Sequence, residues 1–467
     1  MKRDNSLSAV IQSLREVIAD ARPGDRLPSV RELLQEHRVS PKTVERAFAQ
    51  LASEGLIEPR PGQGTFVRPP AADRAKEADF SWQSAALGSA RGDDGVMQAL
   101  TTLPPAGSLV LSMGYLPPEL QPTDLLASAL RQVATRSELW DRLPVEGLES
   151  LRGWFAREVG RGAVFTPNDV IIYPGGQAAI ASTFRALVPP GRPVLVETPT
   201  YTGAISAARA AGLELVPVPM DEHGARPGLL ADAFRRTGAR VFYSQPTFSN
   251  PSGAVMPPTR RAAILAAVAE ARAFVIEDDW ARDFNLANAA PEPLAVTDRD
   301  GHVIYIRSLA KSAAPALRVA AVMARGAALA RLKAMRGCDD FFVSGPLQAA
   351  ALSAVTAPAW KRHLQKARAA LVERRDTLVS ALKSELGDRI AFRVPQGGMH
   401  LWIRLPDHIS DTGLAAEMAR QGVVVGPGRA WFPADPDGSF LRLTFAGTTA
   451  TLVEGAKRLG GAIRKES

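Results

Sequence analysis

The stretch YIRSLAKSAAPALRVA, residues 305–320, decides how the rest of the chain is read. Lys311 stands alone among Ser, Ala and Leu, Arg318 follows seven residues later, and neither has an acidic partner within the stretch. Burial disfavours the charged form of lysine and lowers its pKa. An unprotonated amine condenses with an aldehyde to a Schiff base. Ser308 adds a hydroxyl, and Arg318 a planar cation suited to phosphate. A surface lysine is the plain alternative; a phosphorylated aldehyde as ligand would use all three side chains.

Working outward, from about residue 108 short apolar runs alternate with Ala/Leu/Arg-rich helical segments. VIIYPG, PVLVETP, LELVPVP, VFYSQP, FVIEDD and VIYIRS read as strands; GQAAIASTFRALV, TGAISAARAAG and TRRAAILAAVAEARA read as helices between them. This predicts an α/β domain with a mainly parallel sheet, its binding residues gathered at strand ends. GGMHLWIRLP and GSFLRLTFAG suggest a smaller α+β region after about residue 350.

The polar motifs sit at those strand ends. YPGGQAAI offers Gly175, Gly176 and Gln177 at a helix start, where backbone N–H groups favour phosphate. FVIEDDWARDF offers Asp278, with Asp279 as second choice, to keep a pyridine nitrogen protonated. SNPSG offers Asn250 as donor to a phenolic oxygen, and ETPTYTG offers Tyr201 for a ring face. Taken singly, a glycine pair is a turn, the acids cap helices and a tyrosine is core or surface. Taken together they suit pyridoxal 5′-phosphate (PLP).

In that order, with SLAK and its downstream arginine, the motifs resemble the type I aminotransferase fold over about residues 108–465; LPVEGLESLRGWFAREVGRG adds a family-like helix upstream. The resemblance implies that Lys311 forms the internal aldimine and that Asp278 partners the pyridine nitrogen. It places Asn250 on the ring oxygen, Tyr201 on the ring face, and Gly175, Gly176, Gln177, Ser308 and Arg318 around the phosphate. Arg442 in FLRLTFAG matches the family's carboxylate-binding arginine, whose guanidinium makes two parallel hydrogen bonds; a strand-edge surface arginine is the other reading. Trp280 departs from the family, which commonly has a tyrosine donating to the ring oxygen. An indole N–H has a different reach and does not ionise near neutrality, so transamination is the step this departure bears on.

The first 68 residues read differently. Leu7, Val10, Ile11, Leu14, Val17 and Ile18 recur at helical spacing before ARPGDRLP breaks the chain. SVRELLQEH gives a short second helix with Val30, Leu33 and Leu34 inward. VSPKTVERAFAQLASEG has Ser40 as N-cap, Pro41 in the first turn, Val44, Ala47, Phe48 and Leu51 buried, and Gly55 at the end. LIEPRPGQGTFV reads as two strands about a Pro/Gly-rich tip. Three helices and a hairpin make a winged helix-turn-helix whose third helix enters the major groove of double-stranded DNA. Lys42, Thr43 and Arg46 lie on its exposed face, Arg31 is nearby, and the wing offers Arg60, Gln63 and Gly64 to phosphates or the minor groove. A solvated polar face is the bland alternative. The segment resembles the GntR-type DNA-binding domain almost end to end. By that resemblance Ser40 joins the DNA-facing set. Pro41 stands where many relatives place a polar or basic residue, so operator preference does not carry over.

Between the two lies a connector, residues 69–107, rich in Ala, Gly, Pro and Asp, with room for one short helix and with Phe80 and Trp82 as candidates for docking. The 467 residues exceed one ordinary core, so two or three domains are expected. The net charge of +8 permits a polyanionic partner but is spread out, +2 in residues 1–68 and +6 in the rest. No run of about 18 apolar residues predicts a membrane span. The N-terminus lacks a signal-peptide core, and the single cysteine, Cys338, reads as a packing residue in a reducing cytoplasm. No residue is assigned to a metal.

A GntR-type head on an aminotransferase-like body resembles the MocR family of bacterial transcriptional regulators. That resemblance implies a homodimer with the large domains paired and a cofactor site shared across the boundary, with Tyr115 the candidate for the phosphate contact lent between subunits. It also implies a PLP-dependent regulator in which an amino compound displaces Lys311 as an external aldimine, Arg442 grips its carboxylate, and DNA affinity changes. A working aminotransferase with a DNA-binding head and a regulator that senses PLP itself are the alternatives. Effector, operator, and activation or repression stay open.

Overall fold

The computed structural model describes residues 4–60, 63–68, 80–87, 101–160, 164–287 and 291–466. The chain divides into two compact units, Met1–Ser89 and Ala90–Ser467. Most of the expected connector and the wing tip, Pro61 and Gly62, lie outside the described residues.

In the first unit, α1 (Asp4–Asp20), α2 (Val30–His37) and α3 (Pro41–Ser53) precede the strands β1 (Ile57–Arg60) and β2 (Gly64–Val67). The stripe Val10, Ile11 and Leu14 packs with Leu33, Val44, Leu51, Ile57 and Val67 in one small core. Ser29 and Glu32 close a capping box at the start of α2, and Ser40 caps α3 ahead of Pro41 at its first position. Val30 corrects the expectation: it stands directly after the cap and is exposed, and Leu33 carries the buried face. The hairpin pairs Ile57 with Val67 through Arg60 with Gly64. Further on, Ser81–Leu87 is a short helix. Phe80 and Trp82 are 63% and 64% exposed.

The second unit is built on an eight-stranded sheet in the order β4–β11–β10–β9–β8–β5–β6–β7. Its strands follow the short β3 (Leu109–Val110) and are β4 (Val170–Tyr173), β5 (Pro193–Thr198), β6 (Glu214–Asp221), β7 (Gly224–Ala225), β8 (Val241–Ser244), β9 (Phe274–Asp278), β10 (Val303–Ser308) and β11 (Ala320–Met323). The six strands expected from the sequence are mutually parallel. The seventh, β11, runs antiparallel between β10 and β4. Side-chain alternation sends Ile172, Leu195, Phe242, Val275 and Tyr305 into one core, and Ile171, Val194, Tyr243, Ile276 and Ile304 into another on the opposite face. Burial on both faces is why these strands read as continuous apolar runs. Each fully buried Leu or Ile contributes about 1.5–3 kcal/mol.

A third core belongs to the smaller region. There β12 (Ala391–Phe392), β13 (His400–Arg404), β15 (Gly426–Pro427) and β16 (Phe440–Thr444) form a sheet in the order β12–β13–β16–β15, while β14 (Val423–Val424) pairs with β3. The 29-residue helix Pro358–Leu386 covers it with Leu371, Leu378, Leu382 and Leu386, against the last helix, Thr449–Glu466. The segment near residue 110 is thus also part of this region: Leu111 N–H donates to Val424, and Thr444 N–H donates to Leu111. Cys338, on the helix Gly326–Asp339, is exposed and does not pack. No helix among the described residues is long and apolar enough to cross a membrane.

Candidate functional site

The carboxyl ends of the parallel strands bring most of the expected residues together. Lys311 follows β10, and its Nζ donates to the Gly114 carbonyl at 2.7 Å. The same nitrogen lies 3.7 Å from the centroid of the Tyr115 ring. Burial first, then the positive charge of Arg442, lowers its pKa to about 7, while Asp278 acts in the opposite sense. At neutral pH a large share of Lys311 is therefore free amine, the form that attacks a carbonyl.

Asp278 ends β9 and is 5% exposed. It accepts from the Tyr243 hydroxyl at 2.6 Å and the Gln245 amide at 2.8 Å. Burial raises its pKa to about 6, and those two hydrogen bonds resist the rise. Asp279 is committed elsewhere, to the Tyr305 hydroxyl and Arg282. Successive residues of a strand point to opposite faces, and only the Asp278 face carries Lys311 and Tyr201. Tyr201, after β5, has its phenol pKa raised by burial, then by Tyr115 and Asp278.

The glycine turn after β4 forms the other end of the site. Gly175 has φ 104° and ψ 165°, a conformation open essentially to glycine alone, and a Cβ there would strike the Arg318 guanidinium. Gly176 opens the helix Gly176–Leu187 and faces Ser308; a Cβ on it would lie 3.8 Å from the Ser308 hydroxyl. Arg318 donates to the Pro174 carbonyl at 2.8 Å. The first N–H groups of a helix lack intrahelical partners. A helix start, a hydroxyl and a guanidinium thus lie together, which is anion-binding chemistry. Gln177 turns its amide nitrogen to the Gly203 carbonyl at 2.7 Å, and its oxygen is buried without a partner among the described residues.

Arg442 on β16 is 4% exposed and lies over the Trp431 ring, 4.5 Å from its centroid. It donates to Asn250 Oδ1 at 3.1 Å and to the Ser112 carbonyl. Burial lowers its pKa to about 9, and its Nε is unpartnered. Asn250 is held in turn by its backbone N–H on Gln245 Oε1. Arg442 and Asn250 are therefore joined directly, beside Lys311.

One expectation bears on the geometry directly. The Trp280 indole N–H donates to the Phe248 carbonyl at 2.9 Å, and the ring stacks on His400. Its one polar atom is spent on backbone, so it does not donate as the family's tyrosine does. Tyr115 packs against Lys311 within the chain. The sequence reading also missed residues that complete the site. Gly114 is bare because the Lys311 and His400 side chains close on it. Tyr243 and Gln245 hold Asp278, but nothing in VFYSQP sets that tyrosine apart from a core residue. His400 did carry a signal, as a polar residue on the strand face it shares with Arg442.

On the head, Arg31, Lys42 and Arg46 are exposed on α2 and α3. Ser40 and Thr43 are bonded to each other: the Thr43 N–H donates to Ser40 Oγ at 3.3 Å, and the two hydroxyls lie 2.9 Å apart. Arg60 lies over the Phe66 ring at 4.5 Å and 3.7 Å from Glu58, so its charge is partly spent within the wing. Gln63 and Gly64 are exposed, and Gly64 leaves room for the Arg26 side chain.

Comparison with known proteins places both units. Residues 115–459 match the family described as aminotransferase class I and II, and residues 7–67 match the bacterial regulatory proteins of the gntR family. The HTH-type transcriptional regulator YdfD of Bacillus subtilis is 27% identical over 100% of this chain and 98% of its own. The HTH-type transcriptional regulator TauR of Rhodobacter capsulatus is 28% identical over 95% of this chain and 93% of its own. The 2-aminoadipate transaminase of Thermus thermophilus is 30% identical over 82% of this chain and 98% of its own. Among solved structures, LysN, the α-aminoadipate aminotransferase of Thermus thermophilus complexed with N-(5′-phosphopyridoxyl)-L-leucine, superposes with a TM-score of 0.76 at 28% identity, covering 83% of this chain and 99% of that one. The chain belongs to the aminotransferase class I and II family in its body and carries a gntR-family head, the make-up of the MocR-type transcriptional regulators.

Proposed function

We propose that this regulator holds PLP in its body, senses an amino compound there, and passes the result to DNA through its head. The observation that carries the reading is Lys311: a lysine amine near neutrality in its pKa, set between an anion cradle and a buried carboxylate. The residues present fit the cofactor. Gly175, Gly176, Ser308 and Arg318 would hold its phosphate, with Gln177 beside them. Asp278 would hold the pyridine nitrogen, Asn250 would reach the ring oxygen, and Tyr201 would cover a ring face. When bound, PLP supplies a carbonyl that condenses with primary amines and a ring that accepts electron density.

The protein's own groups do the rest. Lys311 would hold the cofactor through its amine, and its lowered proton affinity keeps a share of that amine uncharged near neutral pH. Arg442 grips the incoming carboxylate, exchanging the Asn250 and Ser112 contacts for a charge-assisted pair. Asp278, held ionised by Tyr243 and Gln245, fixes the ring's orientation. In the head, Arg31, Lys42, Thr43 and Arg46 meet DNA, with Arg60, Gln63 and Gly64 on the wing and Ser40 setting the start of α3. A homodimer with paired bodies is part of this reading.

Turnover as an aminotransferase is the second reading, favoured by the intact trio of Lys311, Asp278 and Arg442. Trp280 counts against it, because its N–H serves Phe248. Purified protein mixed with PLP is expected to gain a visible absorption band. Borohydride should then fix the cofactor to the peptide containing Lys311, and Lys311→Ala should lose both signals. A colourless wild type, or a label on another peptide, overturns the reading. Sustained product formation with a keto acid would move the assignment to the enzyme.

A further inference from the structure

His400 has no role in the site as derived so far, yet it is the most conspicuous polar group near Lys311. It is 4% exposed. Neither ring nitrogen makes a hydrogen bond of ordinary geometry among the described residues, although the Met113 backbone lies close enough to pull weakly on the ring's proton. A buried polar side chain is almost always partnered, and an exception calls for an explanation.

The strand register shows where the imidazole points. In the β13–β16 ladder His400 lies opposite Thr444, and Trp402 lies opposite Arg442. Residues two apart on a strand share a face, as do directly opposed residues. His400 and Arg442 therefore project from the same side of the sheet. Leu401, Ile403, Leu441 and Leu443 project from the other side into the apolar core. On the pocket side, a Cβ placed on Gly114 would lie 3.1 Å from His400 Nε2 and 3.7 Å from Lys311 Nζ, so those two nitrogens are less than about 7 Å apart. The back of the ring is closed by Trp280, stacked at 5.4 Å and 25°, whose own N–H is committed to Phe248. The imidazole is thus clamped on its apolar face, its nitrogens held at most weakly by the Met113 backbone, beside the amine and the guanidinium.

The charges around it set its state. Burial first, then Arg442 and Lys311, depress its pKa well below the usual value, against a weak opposing pull from hydrogen bonding to the Met113 backbone. The ring is a neutral imidazole at neutral pH, offering one N–H and one lone pair. Of the groups acting on it, Arg442 is a standing cation, so the local field favours a ligand that brings an electron-rich oxygen.

On the reading of the site given above, we propose that His400 selects the effector, its imidazole N–H donating to a side-chain oxygen of an amino acid whose α-carboxylate is held by Arg442. The effector class is then amino acids with an oxygen acceptor on the side chain, carboxylate or hydroxyl, and not those with hydrocarbon side chains. A pocket built to hydrogen-bond such an oxygen discriminates strongly against analogues lacking it, because its own polar groups are otherwise left unpaired.

The test titrates PLP-loaded full-length protein with aspartate, glutamate, serine and 2-aminobutyrate, following affinity by calorimetry and by the visible band. In the wild type at least one oxygen-bearing amino acid should bind tenfold or more tightly than 2-aminobutyrate. His400→Phe keeps an aromatic ring against Trp280 and should collapse that ratio towards one; His400→Gln restores a donor and an acceptor and should recover part of it. A purely structural histidine would shift all four affinities together and leave the ratio standing, which overturns the proposal. So does 2-aminobutyrate binding as well as the rest in the wild type. Failure of the underlying site reading has a separate signature, a wild type with no visible band at all.

Discussion

Lys311 pays for its reactivity with stability, and that cost depends on pH. Its pKa is about 7 in the fold against 10.5 without burial. Between those values the unfolded chain keeps a proton that the folded chain has released, so stability rises with pH across this window and the full penalty applies below pH 7. In cofactor-free protein, Lys311→Met removes the penalty. We expect a gain of about 2 kcal/mol at pH 6 in urea unfolding, less than the full shift implies because the side chain is only half-buried, shrinking as pH rises towards 10.5. A gain that is flat with pH, or a loss throughout, would refute the assignment of that cost to the buried ammonium. This residue was legible in the sequence because its isolation among small apolar neighbours is itself a burial signal. Asp278 was legible for a related reason: a carboxylate at the end of an apolar strand has nowhere to point but the strand-end crevice. Trp280 was not. Which way an indole N–H turns depends on contacts with Phe248 and His400 that lie far away in the chain.

At the scale of elements, the strand–turn–helix after β4 carries a prediction of its own. Gly175 combines a glycine-only backbone with space occupied by Arg318. Gly175→Ala is therefore expected to cost about 1–3 kcal/mol in thermal or urea unfolding and to weaken PLP retention more than tenfold, because both strain and displacement fall on the phosphate cradle. Retained PLP affinity would mean that the cradle holds no phosphate. The third helix of the head separates two roles in the same way. Ser40 is its cap, so Ser40→Ala should cost the head about 1 kcal/mol. Arg46 is exposed on the same helix, so Arg46→Ala should leave stability alone, weaken promoter binding, and lower the salt slope by about one unit if it meets a phosphate. Unchanged binding would remove it from the interface. Six parallel strands were legible because burial on both faces leaves unbroken Val/Ile/Phe runs. β11 was not: Ala320 and Ala321 have little strand preference, and only insertion between β10 and β4 makes AAVM a strand. β3 was missed for a related reason, since a two-residue strand leaves no pattern, and its partner β14 is more than three hundred residues away.

At the scale of the molecule, two units with separate cores must share one free energy if the body is to govern the head. The head closes its own core through Val10, Leu14, Val44 and Leu51, and the body has four of its own among the described residues. Any coupling therefore comes from states of the whole chain that bind DNA and the amino compound unequally, and it must be reciprocal. If the amino acid chosen by spectral titration changes promoter affinity by some factor, saturating promoter DNA must change the affinity for that amino acid by the same factor, typically about 5–150-fold in either direction. Mobility-shift titrations with and without the amino acid give the first number; titrations of the visible band with and without promoter DNA give the second. Arg442→Ala should shift the amino-acid titration to higher concentration in both series. It should leave promoter affinity in the absence of amino acid to the head alone, because Arg442 lies in the body, buried beside Asn250 and Trp431. Two equal factors would establish the body as a sensor wired to the head. A promoter affinity indifferent to every amino acid that alters the visible band would instead leave two independent machines on one chain.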